Sequence, residues 1–236
     1  MTPNEVIAVA KSQVGYLEKA SNKDLYDFTA NAGNKNYTKY SPELRVAGYY
    51  GSKNKQGYAW CTQFVDWCFL QVAGSMKKAD EVKPNGLYGA SCTWTKKYYN
   101  QKGRIFSTPE VGDQVFFKKD GSVCHTGLVV EVSDDYIGTV EGNCNNGVRL
   151  CTYKRSSSYI DSFGRPFYTD KEEIKRGDVG RLKPNATVWK KNYGFKAWVY
   201  NSDIYVLSVV GEKLTFSVLK NGPVTGRTHV ENFIKK

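Results

Sequence analysis

The hydrophobic pattern of the chain changes period at Val111, and that change limits the folds open to it. Before it, apolar residues recur at helical spacing. Val6, Ile7, Val9, Ala10 and Val14 mark an amphipathic helix over Pro3–Lys19, where Pro3 is tolerated in the first turn. Cys61, Phe64, Val65, Cys68, Phe69 and Val72 line one face of a second helix, closed by Gly74. Between them, Ser21–Lys55 is polar and aromatic and reads as a long loop holding a short helix over Asp24–Ala32. A loop-and-helix stretch around Trp94, Tyr98 and Tyr99 follows. After Val111 the period becomes that of strands: Gln114–Lys118, Thr126–Val132, Tyr136–Glu141, Val148–Lys154 and a short Phe163–Tyr168, with turns at Asp120-Gly121 and Ser133-Asp134-Asp135. Helices first and an antiparallel sheet afterwards predict an α+β fold.

Thr169–Gly180 is charged, nearly free of apolar residues, and reads as a linker. Beyond it, Thr187–Trp189, Ala197–Tyr200, Ile204–Val210, Leu214–Leu219 and Thr228–Phe233 read as five short strands, with a turn at Lys220-Asn221-Gly222-Pro223. So many strands in so short a stretch predict a small all-β barrel. The expected organisation is therefore a domain over 1–168, a linker over 169–180 and a barrel over 181–236.

Composition excludes several classes. With 17 Tyr, 11 Phe and 5 Trp in 236 residues, the chain is too aromatic for disorder. No run approaches the roughly 18 apolar residues of a membrane span, so no membrane partner is expected. The first twenty residues lack a charged region, an apolar core and a small-residue cleavage site. The net charge is +11, and residues 169–236 carry 13 basic against 7 acidic side chains. Such a balance suits an anionic partner. Lys and Arg are scattered rather than gathered in a stripe or recognition helix, which argues against nucleic acid.

Six cysteines are too sparse for a disulfide scaffold and contain no CxxC pair. Cys61 stands apart because it opens its helix, where the positive end of the macrodipole favours a thiolate. Cys68, seven residues later on the same face and deep in the helix, gains nothing of the kind. A cysteine nucleophile needs a base, and the chain has two histidines. His229 lies in the basic tail without an identifiable partner. His125 begins the apolar strand HTGLVVEV, at a sheet rim from which it can face a helix start. On the next strand Glu141 and Asn143 are two apart and so share a face. A carboxylate there, accepting from His Nδ1–H, orients Nε2 toward the thiol. By the same alternation Cys124 turns away from His125 into the core. Cys92, Cys144 and Cys151 read as structural thiols, and a Cys144–Cys151 bridge runs against a chain without a signal peptide.

The segments GYAWCTQFVDWCF, VGDQVFFKKDGSVCHTGLVVEV and TVEGN, in that order and closed by IDSFGRPFY, resemble the CHAP family of peptidoglycan amidohydrolases. The opening VIAVAKSQVGYLEK and NAGNKNYTKY resemble phage lysins and related wall hydrolases of Gram-positive hosts. The resemblance covers residues 1–168 and implies a papain-like fold with Cys61 as nucleophile, His125 as general base and then acid, and Glu141 orienting His125. It also implies that Asn143 supports the site or orients His125 itself. The backbone N–H of Cys61, with Tyr58, is the expected oxyanion donor. Some members bind calcium just before the nucleophile. Here that stretch is Ser52-Lys53-Asn54-Lys55-Gln56-Gly57, without carboxylates, so neither a metal nor another cofactor is expected. The tail resembles a bacterial SH3-type wall-binding domain in size, strand count and its closing Thr228–Lys236. Trp189, Tyr193, Trp198 and Tyr200 offer a sugar-stacking groove, or else barrel core.

Together these imply a monomeric Gram-positive wall hydrolase whose partners are peptidoglycan and anionic wall polymers. It cuts either the N-acetylmuramoyl-L-alanine amide or a peptide bond of the stem or cross-bridge. The absent signal fits a protein made in a host cytoplasm that reaches the wall after membrane breach, and equally a secreted form with its signal trimmed. The alternative is a non-catalytic wall- or nucleic-acid-binding protein with an inert cysteine site.

Overall fold

Helical period gives way to sheet near Val111 in the computed structural model, which describes residues 1–83, 89–168 and 174–236. The chain divides into two units, Met1–Thr169 and Asp170–Lys236. In the first, α1 (Pro3–Ser12) starts at a capping box: Glu5 N donates to Thr2 Oγ1 at 3.4 Å and Thr2 N donates to Glu5 Oε2 at 2.8 Å. It ends earlier than its apolar pattern suggests. Gly15 turns the chain so that its N–H, and then the Tyr16 carbonyl, pair with Val148. Tyr16–Lys19 thus runs extended, bridging Leu17 to Gly147.

The stretch expected to hold a helix over Asp24–Ala32 has none. Asp24 and Asn31 sit in the left-handed region, and Asp27 Oδ1 accepts from the N–H groups of Thr29 and Ala30. That local turn takes the donors a helix needs. The helix of this stretch is α2 (Tyr40–Val46), whose first turn carries Pro42 and Glu43.

Next comes α3 (Cys61–Ala73), ended by Gly74 at φ 71°. Every residue from Cys61 to Leu70 is buried, so this is the central helix and not a surface one. It packs against α1, α2 and α4 (Met76–Val82) and against the sheet. Asp66 on α3 forms a buried ion pair with Lys83 and accepts from the Tyr50 hydroxyl. Helix α5 (Cys92–Gln101) completes the helical layer.

The sheet comprises β1 (Ile105–Phe106), β2 (Gln114–Lys119), β3 (Ser122–Val132), β4 (Tyr136–Cys144), β5 (Gly147–Lys154) and β6 (Ile160–Gly164). All pairings are antiparallel, in the order β1-β6-β2-β3-β4-β5. The last strand lies earlier than Phe163–Tyr168 and pairs beside β2.

In the second unit β7 (Val179–Leu182), β8 (Ile204–Val210), β9 (Lys213–Ser217), β10 (Gly226–His229) and β11 (Phe233–Lys235) form one antiparallel sheet, ordered β10-β9-β8-β7-β11. Leu182, Ile204, Val206, Leu214, Phe216 and Phe233 are in its core. Three expected strands do not form as read, the first being Thr228–Phe233, which a 3-10 turn over Val230–Asn232 splits between β10 and β11. Ala197–Tyr200 is a single helical turn, α6, whose Val199 reaches the core. Four consecutive apolar residues fit either period. Thr187–Trp189 makes only an isolated bridge, Thr187 to Gly194. The charged stretch expected as a linker contributes Val179 and Gly180 to β7; its residues 169–173 lie outside the described residues.

Candidate active site

The first turn of α3 is fixed from several sides. Trp60, the residue before it, donates its indole N–H to Glu18 Oε2 at 2.8 Å, and Glu18 Oε1 accepts from Asn36 N at 3.0 Å. Gln63 Nε2 donates to the carbonyls of Ala59 and Lys55. From the sheet side, β4 comes so close that a Cβ on Gly142 would stand 2.4 Å from Phe64 Cβ and 2.8 Å from Trp60 Cζ3. Glycine at 142 therefore sets how near the Glu141 strand lies to the helix start. Cys61, the first helical residue, is 6% exposed.

On the sheet, His125 Nε2 and Glu141 Oε2 are 2.9 Å apart. The carboxylate crosses over Gly127, where a Cβ would meet Glu141 Cγ at 2.5 Å. Thr139 Oγ1 donates to Oε1 at 2.5 Å and the Tyr153 hydroxyl donates to Oε2 at 3.3 Å, so this fully buried acid has three polar partners. Phe117, directly across β2 from His125, stacks on its ring at 5.8 Å between centroids. The expected ring orientation is reversed. The outer nitrogen, Nε2, reaches the next strand's carboxylate, which leaves Nδ1, nearer the backbone, as the nitrogen available for proton transfer.

The thiols also differ from expectation. Burial and a hydrogen bond with Cys92 outweigh the helix dipole at Cys61: the Cys92 contact first, then desolvation, push its thiol well above the ordinary range. Cys92 goes the other way. It opens α5 just as Cys61 opens α3, and the Cys61 contact, with help from the Thr93 N–H and His125, lowers it to about 7. The two thiols, each at a helix start, thus shift in opposite directions through their mutual contact, with His125 adding to the lowering at Cys92. Sequence reasoning set Cys92 aside as structural. The signal that marks it is the one that marked Cys61, a cysteine at the start of a helix.

Cys124 is exposed rather than packed in the core. The β2–β3 register slips between Phe117 and Lys118, leaving Cys124 as the extra residue of a bulge, so simple alternation does not apply. A second slip, between Glu141 and Cys144, ends alternation on β4 as well. Asn143 there has φ 58°, and its side chain bonds to neither His125 nor Glu141. The same slip brings Cys144 round to Glu141's side, with Cys144 Sγ and Cys151 Sγ 3.5 Å apart as free thiols. Tyr58 is exposed, its ring 5.2 Å from Lys55 Nζ.

In the second unit Tyr193 and Trp198 are more than half exposed. Tyr200 is structural: its hydroxyl donates to the Ala186 carbonyl at 2.6 Å and accepts from Phe195 N at 2.8 Å. Trp189 is half-buried and its ring packs, tilted by 44°, against His229 at 4.3 Å between centroids, which supplies the partner that the sequence did not show for that histidine.

The CHAP domain family model matches residues 53–143, a span that opens before Cys61 and takes in His125 and Glu141. The first unit thus contains a segment similar to the CHAP domain. No curated protein matches the chain. Among solved structures, the NlpC/p60 domain of the peptidoglycan hydrolase SagA is similar with a TM-score of 0.37 at 13% identity, over 70% of this chain and 98% of that one. Ly7917, solved alone and with the hydrolyzing product of MDP, is similar with a TM-score of 0.41 over 97% of this chain and 92% of that one. Identity there is 11% in the complex and 12% in the structure solved alone.

Proposed function

We propose that the first unit is a cysteine-dependent peptidoglycan hydrolase that cuts an amide bond of the wall. The single observation that carries this reading is the His125–Glu141 pair, held within the CHAP-like segment, whose span also holds Cys61 at a buried helix start. A carboxylate accepting from Nε2–H fixes the tautomer in which Nδ1 is the base. In the reaction, Cys61 Sγ bonds to the amide carbonyl carbon as its proton passes to His125 Nδ1. The C–N bond then breaks and that proton goes to the leaving amine. Water adds to the thioester, giving a proton to His125; the S–C bond breaks, that proton returns to the Cys61 sulfur, and the free acid leaves. The Cys61 backbone N–H, at the first position of α3, is the donor we assign to the oxyanion.

For the second unit we propose retention on the wall, supported by exposed Tyr193 and Trp198 and by the excess of basic residues. Mass spectrometry of fragments released from purified Gram-positive sacculi tests both halves. The wild type is expected to release fragments whose new termini name the bond, muramoyl–alanine amide or peptide. A chain ending at 177 is expected to sediment less with sacculi. No release from walls of several chemotypes would remove the hydrolase reading, and unchanged sedimentation would remove the retention reading.

Gly127→Ala probes the pair directly. An added Cβ overlaps Glu141 Cγ, so the carboxylate must leave its place beside His125. A misplacement of about 1 Å at such a site costs on the order of a hundredfold in rate. The expected result is that loss in turnover with circular dichroism unchanged; full turnover would mean the carboxylate does not position the imidazole.

A further inference from the structure

We propose that Cys144, Cys151 and Glu141 form a zinc-binding site whose occupation switches off the hydrolase by taking Glu141 from His125. The regulatory half rests on the role given to Glu141 above; the binding half does not. Sγ of Cys144, Sγ of Cys151 and a carboxylate oxygen of Glu141 all lie within 4.8 Å of one another. The two sulfurs are 3.5 Å apart. A tetrahedral ion with Zn–S bonds of about 2.3 Å holds its sulfurs about 3.8 Å apart, so the bite is nearly formed. Two thiolates and one carboxylate suit zinc rather than calcium or magnesium, which take oxygen ligands, and they leave a fourth position for water.

The backbone explains why these three converge. Thr139 pairs with Cys151 and Glu141 with Arg149, so Cys151 and Glu141 share a face across two strands. The slip before Cys144 turns its side chain to that same face, and the tight turn Asn145-Asn146, both left-handed, folds β5 back beside it. Both cysteines are partly exposed, which gives an ion a way in, whereas Glu141 is buried. Glu141 Oε2 is the atom that meets His125, so a carboxylate turned toward the metal loosens that contact.

Zinc could instead settle between Cys61, Cys92 and His125, so the test uses variants that separate the two places. The reduced full chain carrying Cys61→Ala and Cys92→Ser is titrated with zinc chloride, and in parallel with cobalt(II) as a spectroscopic probe. We expect one ion per chain and a thiolate-to-cobalt charge-transfer band. In a Cys144→Ser/Cys151→Ser chain the affinity is expected to fall at least about a hundredfold. That chain keeps basal wall cleavage, which shows it is folded, and its cleavage resists zinc that stops the wild type; Cys144→Ala alone is expected to behave alike. Binding lost with Cys61→Ala/Cys92→Ser but kept in Cys144→Ser/Cys151→Ser would overturn the site. Binding at the site with cleavage unchanged would overturn the switch. Binding as expected in a wild type that cleaves no wall would leave the site standing and sink the hydrolase reading instead.

Discussion

Replacing Cys61 with alanine is expected to abolish wall cleavage, by a factor on the order of 10⁴ to 10⁶, while Cys92→Ser stays within about tenfold of the wild type. The contrast matters because the acidity of the two thiols points the other way. Cys92 is lowered to about 7 and Cys61 is pushed up. A reader of acidity alone would choose Cys92 as nucleophile. The positions argue for Cys61: β4 is pressed against its helix turn through Gly142, one residue from the Glu141 that holds His125. The largest contribution raising the Cys61 thiol is its hydrogen bond with Cys92. Removing Cys92 therefore lowers the Cys61 value and increases its thiolate at neutral pH, so alkylation of Cys61 by iodoacetamide is expected to quicken in Cys92→Ser. In Cys61→Ala the sign reverses for the other thiol. The largest contribution lowering Cys92 disappears, and its titration midpoint is expected to move up from about 7 toward the ordinary thiol value. A dead Cys92→Ser beside an active Cys61→Ala would transfer the nucleophile to α5.

How much of this was legible in the sequence depends on which physical rule governs each residue. The span of α3 could be read because both its ends are local signals, an apolar face beginning at Cys61 and a glycine free to take φ 71° at 74. His125 and Glu141 could be paired because consecutive antiparallel strands bring them together. Their atomic pairing could not, since Nε2 rather than Nδ1 meets the acid only because the carboxylate crosses a glycine at 127. Alternation failed at Cys124, Asn143 and Cys144 for one reason: bulges add a residue without any local signature. Asp24–Ala32 misled because Asp27 spends its carboxylate on its own turn. Cys92 opens α5 as Cys61 opens α3, so the same helix-start rule marks both cysteines.

Lys83→Met is expected to destabilise the first unit by about 3–5 kcal/mol, the largest stability effect we foresee for a single substitution. Lys83 and Asp66 have side chains 0% and 1% exposed, and the Tyr50 hydroxyl donates to the same carboxylate. Lys83 lies just past α4, so the pair ties the end of that helix to the middle of α3. Taking two charges out of water is costly, and their mutual attraction offsets that cost only while both are present. Methionine keeps most of the volume beside Phe69, whose ring lies 6.0 Å from Lys83 Nζ, so the loss is one of charge rather than packing. In a unit of this size each kcal/mol moves the midpoint by roughly 2–4 °C, giving a fall of about 6–20 °C in a near-ultraviolet circular dichroism melt. Asp66→Leu alone strands the lysine and is expected to be comparably damaging. The double variant Asp66→Leu/Lys83→Met removes both charges and is expected to be much less destabilised than the two single losses added together. Full additivity would mean that the two charges do not stabilise one another. Because Asp66 lies one and a half helical turns beyond Cys61 on α3, loss of this pair is also expected to lower wall cleavage at temperatures below the melt. The double variant should restore that cleavage together with the fold.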